Sequence, residues 1–463
     1  MVVGTKDNFR IERDALGEVP VPAEAYWGIH TERARGTFSL SGHRVDPALI
    51  RAMGLVKLAA CMTNAELGFI DAPRAEAMER ACREVAEGAL SDQFPLDALQ
   101  GGAGTSTNMN VNEVLANRAL ELLGREKGDY GYVHPIEHVN LHQSTNDVYP
   151  TALRLAAARG LSDLGEAVEA LQGALQHREA EFAVCVKLGR TEMMGAVPMT
   201  LGAEFGAFAE AFARDRWRVH KCVERIRVVN LGGTAVGTGL GASREYIFRV
   251  TERLRELSGL SLCRAENLVD ATANQDSLVE VSGILKAHAC NLAKGAQDLR
   301  LLAAFGEGAL PSLQVGSSIM PGKVNPVALE AVLQGSLWAQ AQEGAMAQAV
   351  QRGSLQICEF MPLVAECLLG MLSVLSRSDR LLQTQVEGLR AQEKVGRSNM
   401  EQAPTLVTAL LPLLGYQAAG ELARGLAESG RKDVRVFLEE RLGVERVGRC
   451  LTPEALTTLG SAS

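Results

Sequence analysis

The segment GSSIMPGKVNP, Gly316 to Pro326, gathers two serines, a lysine and an asparagine among glycines and prolines. Gly316 and Gly322 bracket its first half, and glycine gives backbone amides access to an anion. Lys323 adds a mobile positive charge, and Asn325 both donates and accepts. Pro326 suits the first turn of a following helix. Such a loop can hold a carboxylate and set a serine beside the carbon next to it. It is not a nucleotide loop, because Val324 follows Lys323 where GxxxxGK[ST] needs a hydroxyl. An ordinary helix-connecting loop is the alternative.

Two more segments are rich in small hydroxyls and amides. GGAGTSTNMNVNE, Gly101 to Glu113, holds Thr105, Ser106, Thr107, Asn108, Asn110 and Asn112. QSTNDVYPT, Gln143 to Thr151, holds Ser144, Thr145 and Asn146 at a helix start, where unpaired amides favour a carboxylate. A single Ser or Thr there is ordinarily a cap. A mostly apolar helical chain has little reason to bury so many polar groups unless something binds them. GRTEMMGAVPMT, Gly189 to Thr200, puts Arg190, Thr191 and Glu192 ahead of a helical run. NLGGTAVGTG, Asn230 to Gly239, is glycine-rich but lacks the setting and spacing of a dinucleotide fingerprint. Tight turns or close helix contacts are its expected use, with direct contact to a ligand as the alternative.

His134, His138 and His142 are spaced four apart, which on a helix would suit zinc. Pro135 breaks the run and HExxH is missing, so capping, packing or a minor anion contact is expected instead.

The elements that must position these segments are helical. Leu161, Leu164, Val168, Leu171 and Leu175 step by three and four. Leu201, Phe205, Phe208 and Phe212 keep that rhythm, with Val219, Val223 and Ile226 beyond them. Leu278, Val281, Leu285 and Leu292 form another stripe. Each turns one apolar face to a core, and few runs alternate, so a bundle is expected rather than a sheet. Gly202, Ala203, Gly206 and Ala207 predict close helix approach. GREKGDYGYVHP interrupts the first helical region, loops are expected near 230–243 and 306–326, and shorter segments follow Gly396. Domains are accordingly expected at 1–140, 141–395 and 396–463.

Composition sets the frame. With 463 residues, 47% of them hydrophobic, the chain can bury a large core and is not disordered. A net charge of −8 argues against nucleic-acid binding. Nine cysteines, an odd count without CxxC, suit a reducing compartment and argue against a thiolate zinc site. The opening MVVGTKDNFRIERD has no long apolar run, and no stretch of about 18 apolar residues is free of polar breaks. A soluble, cytoplasmic protein with no secretory leader and no membrane contact is expected.

Taken in order, GGAGTSTNMNVNE, QSTNDVYPTA, GRT…AVPMTLGAEF, NLGGTAVGTG and GSSIMPGKVNP resemble the fumarase/aspartase superfamily. The opening from IERDALGEVPVPAEAYWG and the stretch near LLPLLGYQAAGELA extend the likeness over nearly the whole chain. AGTS and QSTND are closer to the aspartase branch than to the fumarase branch. The resemblance implies an all-α fold with a central bundle of long helices and smaller N- and C-terminal domains. It implies a homotetramer with active sites assembled from three subunits, and no organic cofactor.

By the same resemblance, Ser317 is the general base and Ser318 helps bind a carboxylate. Lys323 and Asn325 bind and polarise a carboxylate. Thr105, Ser144, Thr145 and Asn146 line the rest, and Thr191 meets substrate near its leaving group or carboxylate. The implied reaction removes the C3 proton of L-aspartate and releases fumarate and ammonia. A lyase for another amino-dicarboxylate or N-substituted aspartate, a fumarate hydratase and a non-catalytic tetrameric scaffold stand as alternatives.

Three places depart from the pattern. Glu192 follows GRT where His or Gln is usual; it either pairs with a substrate ammonium or turns outward into a salt bridge. AAFGEGALPSLQVG, before Ser317, is shorter than expected. HPIE stands in place of HPND, which leaves a remote anion site without its usual residues.

Overall fold

The structure, a computed structural model, describes residues 9–457. The first eight residues, where part of the leader expectation falls, lie outside the described residues. In chain order the elements are β1 (Phe9–Asp14), β2 (Gly17–Pro22), α1 (Ile29–Thr37), α2 (Pro47–Glu66), α3 (Ala72–Ala86), α4 (Thr105–Leu122) and α5 (Thr145–Glu181). There follow β3 (Val186–Thr191), β4 (Met194–Thr200), α6 (Leu201–Ile226), β5 (Val228–Val229), α7 (Arg244–Ser258), β6 (Cys263–Arg264), α8 (Leu268–Ala273) and α9 (Asp276–Ala304). The chain continues with β7 (Gly308–Ala309), α10 (Val327–Val350), α11 (Met361–Gly388), β8 (Arg390–Ala391) and α12 (Glu393–Glu401). It ends with α13 (Leu411–Ser429), α14 (Val434–Leu442), α15 (Val444–Cys450) and α16 (Pro453–Thr457). The expected all-α class holds: the strands form only two-stranded pairs among the described residues.

The expected stripes lie on α5, α6 and α9. Leu161, Leu164, Val168, Leu171 and Leu175 are all buried, as are Leu278, Val281, Leu285 and Leu292. Phe205 and Phe212 are buried, while Phe208 and Val223 are half-buried. The long helices α2 and α11 are apolar enough to cross a membrane by length and composition, as is the stretch Pro404–Ser429. Most of the first two is buried inside the protein.

The chain forms two compact units, each discontinuous in sequence. The first comprises residues up to Leu164 together with Arg218–Ala287 and Trp338–Val374. Here α2 packs on α3 and α7, and α4 packs on α1 and α3. Glu113, on α4, accepts from the Gly28, His30 and Thr31 amides and so fixes the start of α1. Asp46 and Asp71 cap α2 and α3 ahead of a proline in the first turn.

The second unit comprises Gly165–Trp217, His288–Leu337 and Leu375 onward. Its small helices share a core built from Val186, Leu188, Met400, Leu406, Leu410, Phe437 and Leu438, so the β3–β4 hairpin is packed into them. The expected close approach at Gly202 is present. A Cβ there would sit 2.6 Å from the Glu179 carbonyl oxygen, so only glycine lets α6 start against the end of α5.

Candidate active site

The 316–326 loop closes on itself. The Gly316 amide donates to the Lys323 carbonyl at 2.7 Å, and Asn325 Nδ2 donates to the Gly316 carbonyl at 2.8 Å. A Cβ on Gly316 would lie 2.8 Å from the Asn325 nitrogen, so this neck requires glycine. Inside the loop, Ser317 Oγ accepts from the Ile319 amide at 3.2 Å and the Met320 amide at 2.9 Å. Two amides aimed at one oxygen favour its negative form. Lys323 and Ser318 are exposed, while Ser317 and Asn325 are half-buried. Among the described residues Lys323 forms no ion pair, so its charge is available to a ligand.

Thr191 and Glu192 stand at the tip of the β3–β4 hairpin; GRT ends β3, and the turn and β4 separate it from the helical run. Thr191 pairs with Met194, and Glu192 and Met193 form the two-residue turn with φ of 53° and 64°. Both residues hold their backbone in the left-handed region, at a cost of about 1 kcal/mol each. The hairpin is anchored below its tip. Arg190 forms a two-pronged pair with Glu307, both contacts 2.8 Å, and its guanidinium lies 4.0 Å over Phe305. Lys187 approaches Glu307 at 3.3 Å and Glu204 at 2.5 Å. Burial pushes the Glu307 carboxyl up, but Arg190, Asn399 and Lys187 outweigh it and hold it below its ordinary value. Glu192 is exposed and has no ion pair among the described residues.

In the first unit, two polar clusters meet at the N-termini of α4 and α5. Thr105 opens α4, and its hydroxyl donates to the Gly102 carbonyl at 2.7 Å. Asn108, one turn on, donates from Nδ2 to Thr145 Oγ1 at 3.2 Å, at the first residue of α5. Ser144 sits just before α5 and accepts from the Asn146 amide at 3.3 Å. Asn146 Nδ2 donates to the Ala235 carbonyl at 2.7 Å, and Asn230 Nδ2 donates to the Asn146 carbonyl. The glycine-rich 230–239 segment thus serves the close contacts expected of it. Its Gly232 and Thr234 amides donate to Asp147 Oδ2, each at 3.0 Å. Burial pushes the Asp147 carboxyl up to about 6, against those amides, the Ser144 amide and the positive field of Lys57.

The histidines do cap and pack. His134 Nδ1 accepts from the Ile136 and Glu137 amides, and His138 Nδ1 accepts from the His134 amide. His142 bonds Asn64 Oδ1 at 2.7 Å. Sequence reasoning passed over Asp147, Lys57, Asn140 and Gln143, which shape the start of α5. Gln143 and Asp147 stand inside the quoted QSTND motif, and the signal for Lys57 was a lysine set within the apolar run of α2.

Ser144–Asn146 and Thr105 lie in the first unit, and Thr191, Glu192, Ser317, Ser318, Lys323 and Asn325 in the second. Comparisons with known proteins bear on the chain as a whole. The Lyase family model matches residues 17–340. An aspartate ammonia-lyase of Bacillus sp is 40% identical over 98% of both chains. One from Pseudomonas canavaninivorans is 43% identical over 94% of both. Among solved structures, a fumarate lyase:delta crystallin from Brucella melitensis bound to cobalt is 42% identical, with a TM-score of 0.92 over 96% of this chain and 98% of that one. A class II fumarase from Schistosoma mansoni is 31% identical, also with a TM-score of 0.92, over 97% of this chain and 99% of that one. Sequence likeness over nearly the full length and a shared helical architecture agree: the chain belongs to the Lyase family of the fumarase/aspartase superfamily.

Proposed function

We propose that the protein is an ammonia-lyase that converts L-aspartate reversibly to fumarate and ammonia. The observation that carries the chemistry is the pair of amides donating to Ser317 Oγ, in a loop that also presents Lys323. Serine is a weak base unless its alkoxide is favoured, and these donors and that charge favour it. Ser317 takes the C3 proton. The electron pair left behind spreads over the neighbouring carboxylate as an enediolate. It then forms the C2–C3 double bond while the C–N pair leaves with nitrogen. The substrate ammonium departs as neutral ammonia, so that step needs no separate acid.

The enediolate must be held more tightly than the substrate. Lys323, Ser318 and the remaining N–H of Asn325 supply donors, and losing one such donor costs about 3 kcal/mol in the barrier. Ser144, Thr145 and Asn146, at the start of α5, receive the other carboxylate. The Thr105 hydroxyl gives its proton to Gly102, so its lone pairs suit an ammonium. Thr191 and Glu192 complete the amine side, and a carboxylate there favours an amine over a hydroxy acid.

The sites are completed in a homotetramer, each drawing residues from three subunits. Support comes from the exposure of Thr191, Glu192, Ser318 and Lys323, none of which is enclosed within its own unit. The compartment is the cytoplasm, which suits nine cysteines without a disulfide.

The test is absorbance of fumarate, with L-aspartate, malate and N-substituted aspartates offered separately. Fumarate from aspartate is the expected result. Fumarate from malate but not aspartate would make the protein a hydratase. Silence with every substrate would leave a scaffold.

A further inference from the structure

Lys57 lies between Val56 and Leu58 in the middle of α2 and is only 1% exposed. A buried ammonium is costly unless its hydrogen bonds are met. No carboxylate forms an ion pair with it among the described residues. Instead Lys57 Nζ donates to two amide oxygens, Asn140 Oδ1 and Gln143 Oε1, each at 2.9 Å.

Those two residues shape the segment that leads into α5. Asn140 Nδ2 donates to the Gln143 carbonyl, and Gln143 Nε2 donates to the Val139 and Leu141 carbonyls. Asn140 Oδ1 also collects Asn108 Nδ2 and Asn112 Nδ2 from α4. A second tie from α2 runs through Asn64 to His142, a residue held at φ 63°. The loop is therefore strained as well as wrapped, and it needs an anchor. Ser144, Thr145 and Asn146 follow directly.

We propose that Lys57 is a positioning residue: through Asn140 and Gln143 it holds Ser144, Thr145 and Asn146 in the arrangement that receives substrate. The proposal rests on reading those three residues as substrate contacts. Lysine fits the task chemically. Burial pulls its pKa down to about 7, while Asp147 and Cys82 act in the other direction. A neutral amine still carries N–H groups enough for both acceptors, so the tether outlasts the charge. Methionine has nearly the same length and none of these donors.

The experiment compares KM and kcat for aspartate in Lys57→Met, Gln143→Leu, the double variant and Asn146→Ala. Lys57→Met and Gln143→Leu are each expected to raise KM about tenfold and leave kcat within about threefold. The double variant is expected to fall well short of the product of the single effects, because both substitutions remove the same Lys57–Gln143 bond. A purely structural lysine would instead lower the active fraction, and so apparent kcat, at parental KM. Parental KM in Lys57→Met beside a raised KM in Asn146→Ala overturns the tether alone. So do single effects that multiply to about a hundredfold in the double variant. Parental KM in Asn146→Ala overturns the substrate reading, and the proposal with it. Should Lys57→Met not fold, Gln143→Leu decides: a parental KM there overturns the proposal.

Discussion

Ser317 Oγ accepts a hydrogen bond from the Met320 amide at 2.9 Å, three residues along a loop pinned shut at its neck. The bond leaves the serine proton uncommitted and points a fixed dipole at the oxygen that would carry charge. Dipoles placed before the reaction cost no reorganisation during it.

Ser317→Ala is therefore expected to lower turnover by at least about a thousandfold. The side chain is half-buried and holds no other element in place, so stability should move by less than about 0.5 kcal/mol. Fumarate absorbance measures the first effect, and thermal unfolding with light scattering the second. A near-parental rate would remove serine from the role of base.

Glu192 offers an exposed carboxylate at a hairpin tip with no cation of its own. If it meets the substrate ammonium, Glu192→Gln weakens aspartate more than it weakens fumarate, which has no amine. KM for aspartate should rise about tenfold, while inhibition by fumarate tightens or stays unchanged. Equal weakening of both ligands would mean that Glu192 does not recognise the amine.

Arg190 is the GRT residue with a structural duty. Its pair with Glu307 joins positions 117 apart in sequence, and Glu307 is only 2% exposed. Arg190→Gln leaves that carboxylate with Lys187 and Asn399 alone, at a cost of about 3 kcal/mol. The loss should appear in the denaturant midpoint, and Glu307→Gln should recover part of it. A double variant as unstable as the summed single effects would show that the two residues act apart.

The long helices were legible because their apolar residues recur at three and four. Leu161 to Leu175 needs nothing beyond that spacing to predict a buried face on α5. The hairpin was not legible. GRTEMMGAVPMT does not alternate, and Glu192-Met193 lacks the Asn-Gly or Gly residues that announce such a turn. Its position depends on Arg190 finding Glu307 and on Leu188 finding the core around Leu406 and Phe437. Those are long-range facts that local pattern does not carry. The candidate site divides in the same way. Its serines, threonines and Lys323 advertise themselves by density and type, while Lys57 acts through amides more than 80 residues away.

A last relationship concerns stability with pH. His288 on α9 lies between Asp215 on α6, 3.0 Å from Nδ1, and Asp379 on α11, 2.9 Å from Nε2. All three are essentially unexposed, and Asn291 also donates to Asp215. Burial alone would lower the His288 pKa, but the two carboxylates override it and raise it to about 10. Asp379 is itself pushed above its ordinary value, mainly by burial. For His288 the folded value exceeds the unfolded one of about 6.5, so its stabilising effect is complete below about pH 6.5. That stability is lost as pH rises toward about 10, because the unfolded chain gives up the proton first. At fixed protein concentration, the urea midpoint should therefore fall steadily between these limits. His288→Leu should be less stable at neutral pH, because it strands two buried carboxylates. Its midpoint should also lack the alkaline decline in that window. A parental midpoint that stays flat across it would mean that His288 does not hold its proton between the two aspartates.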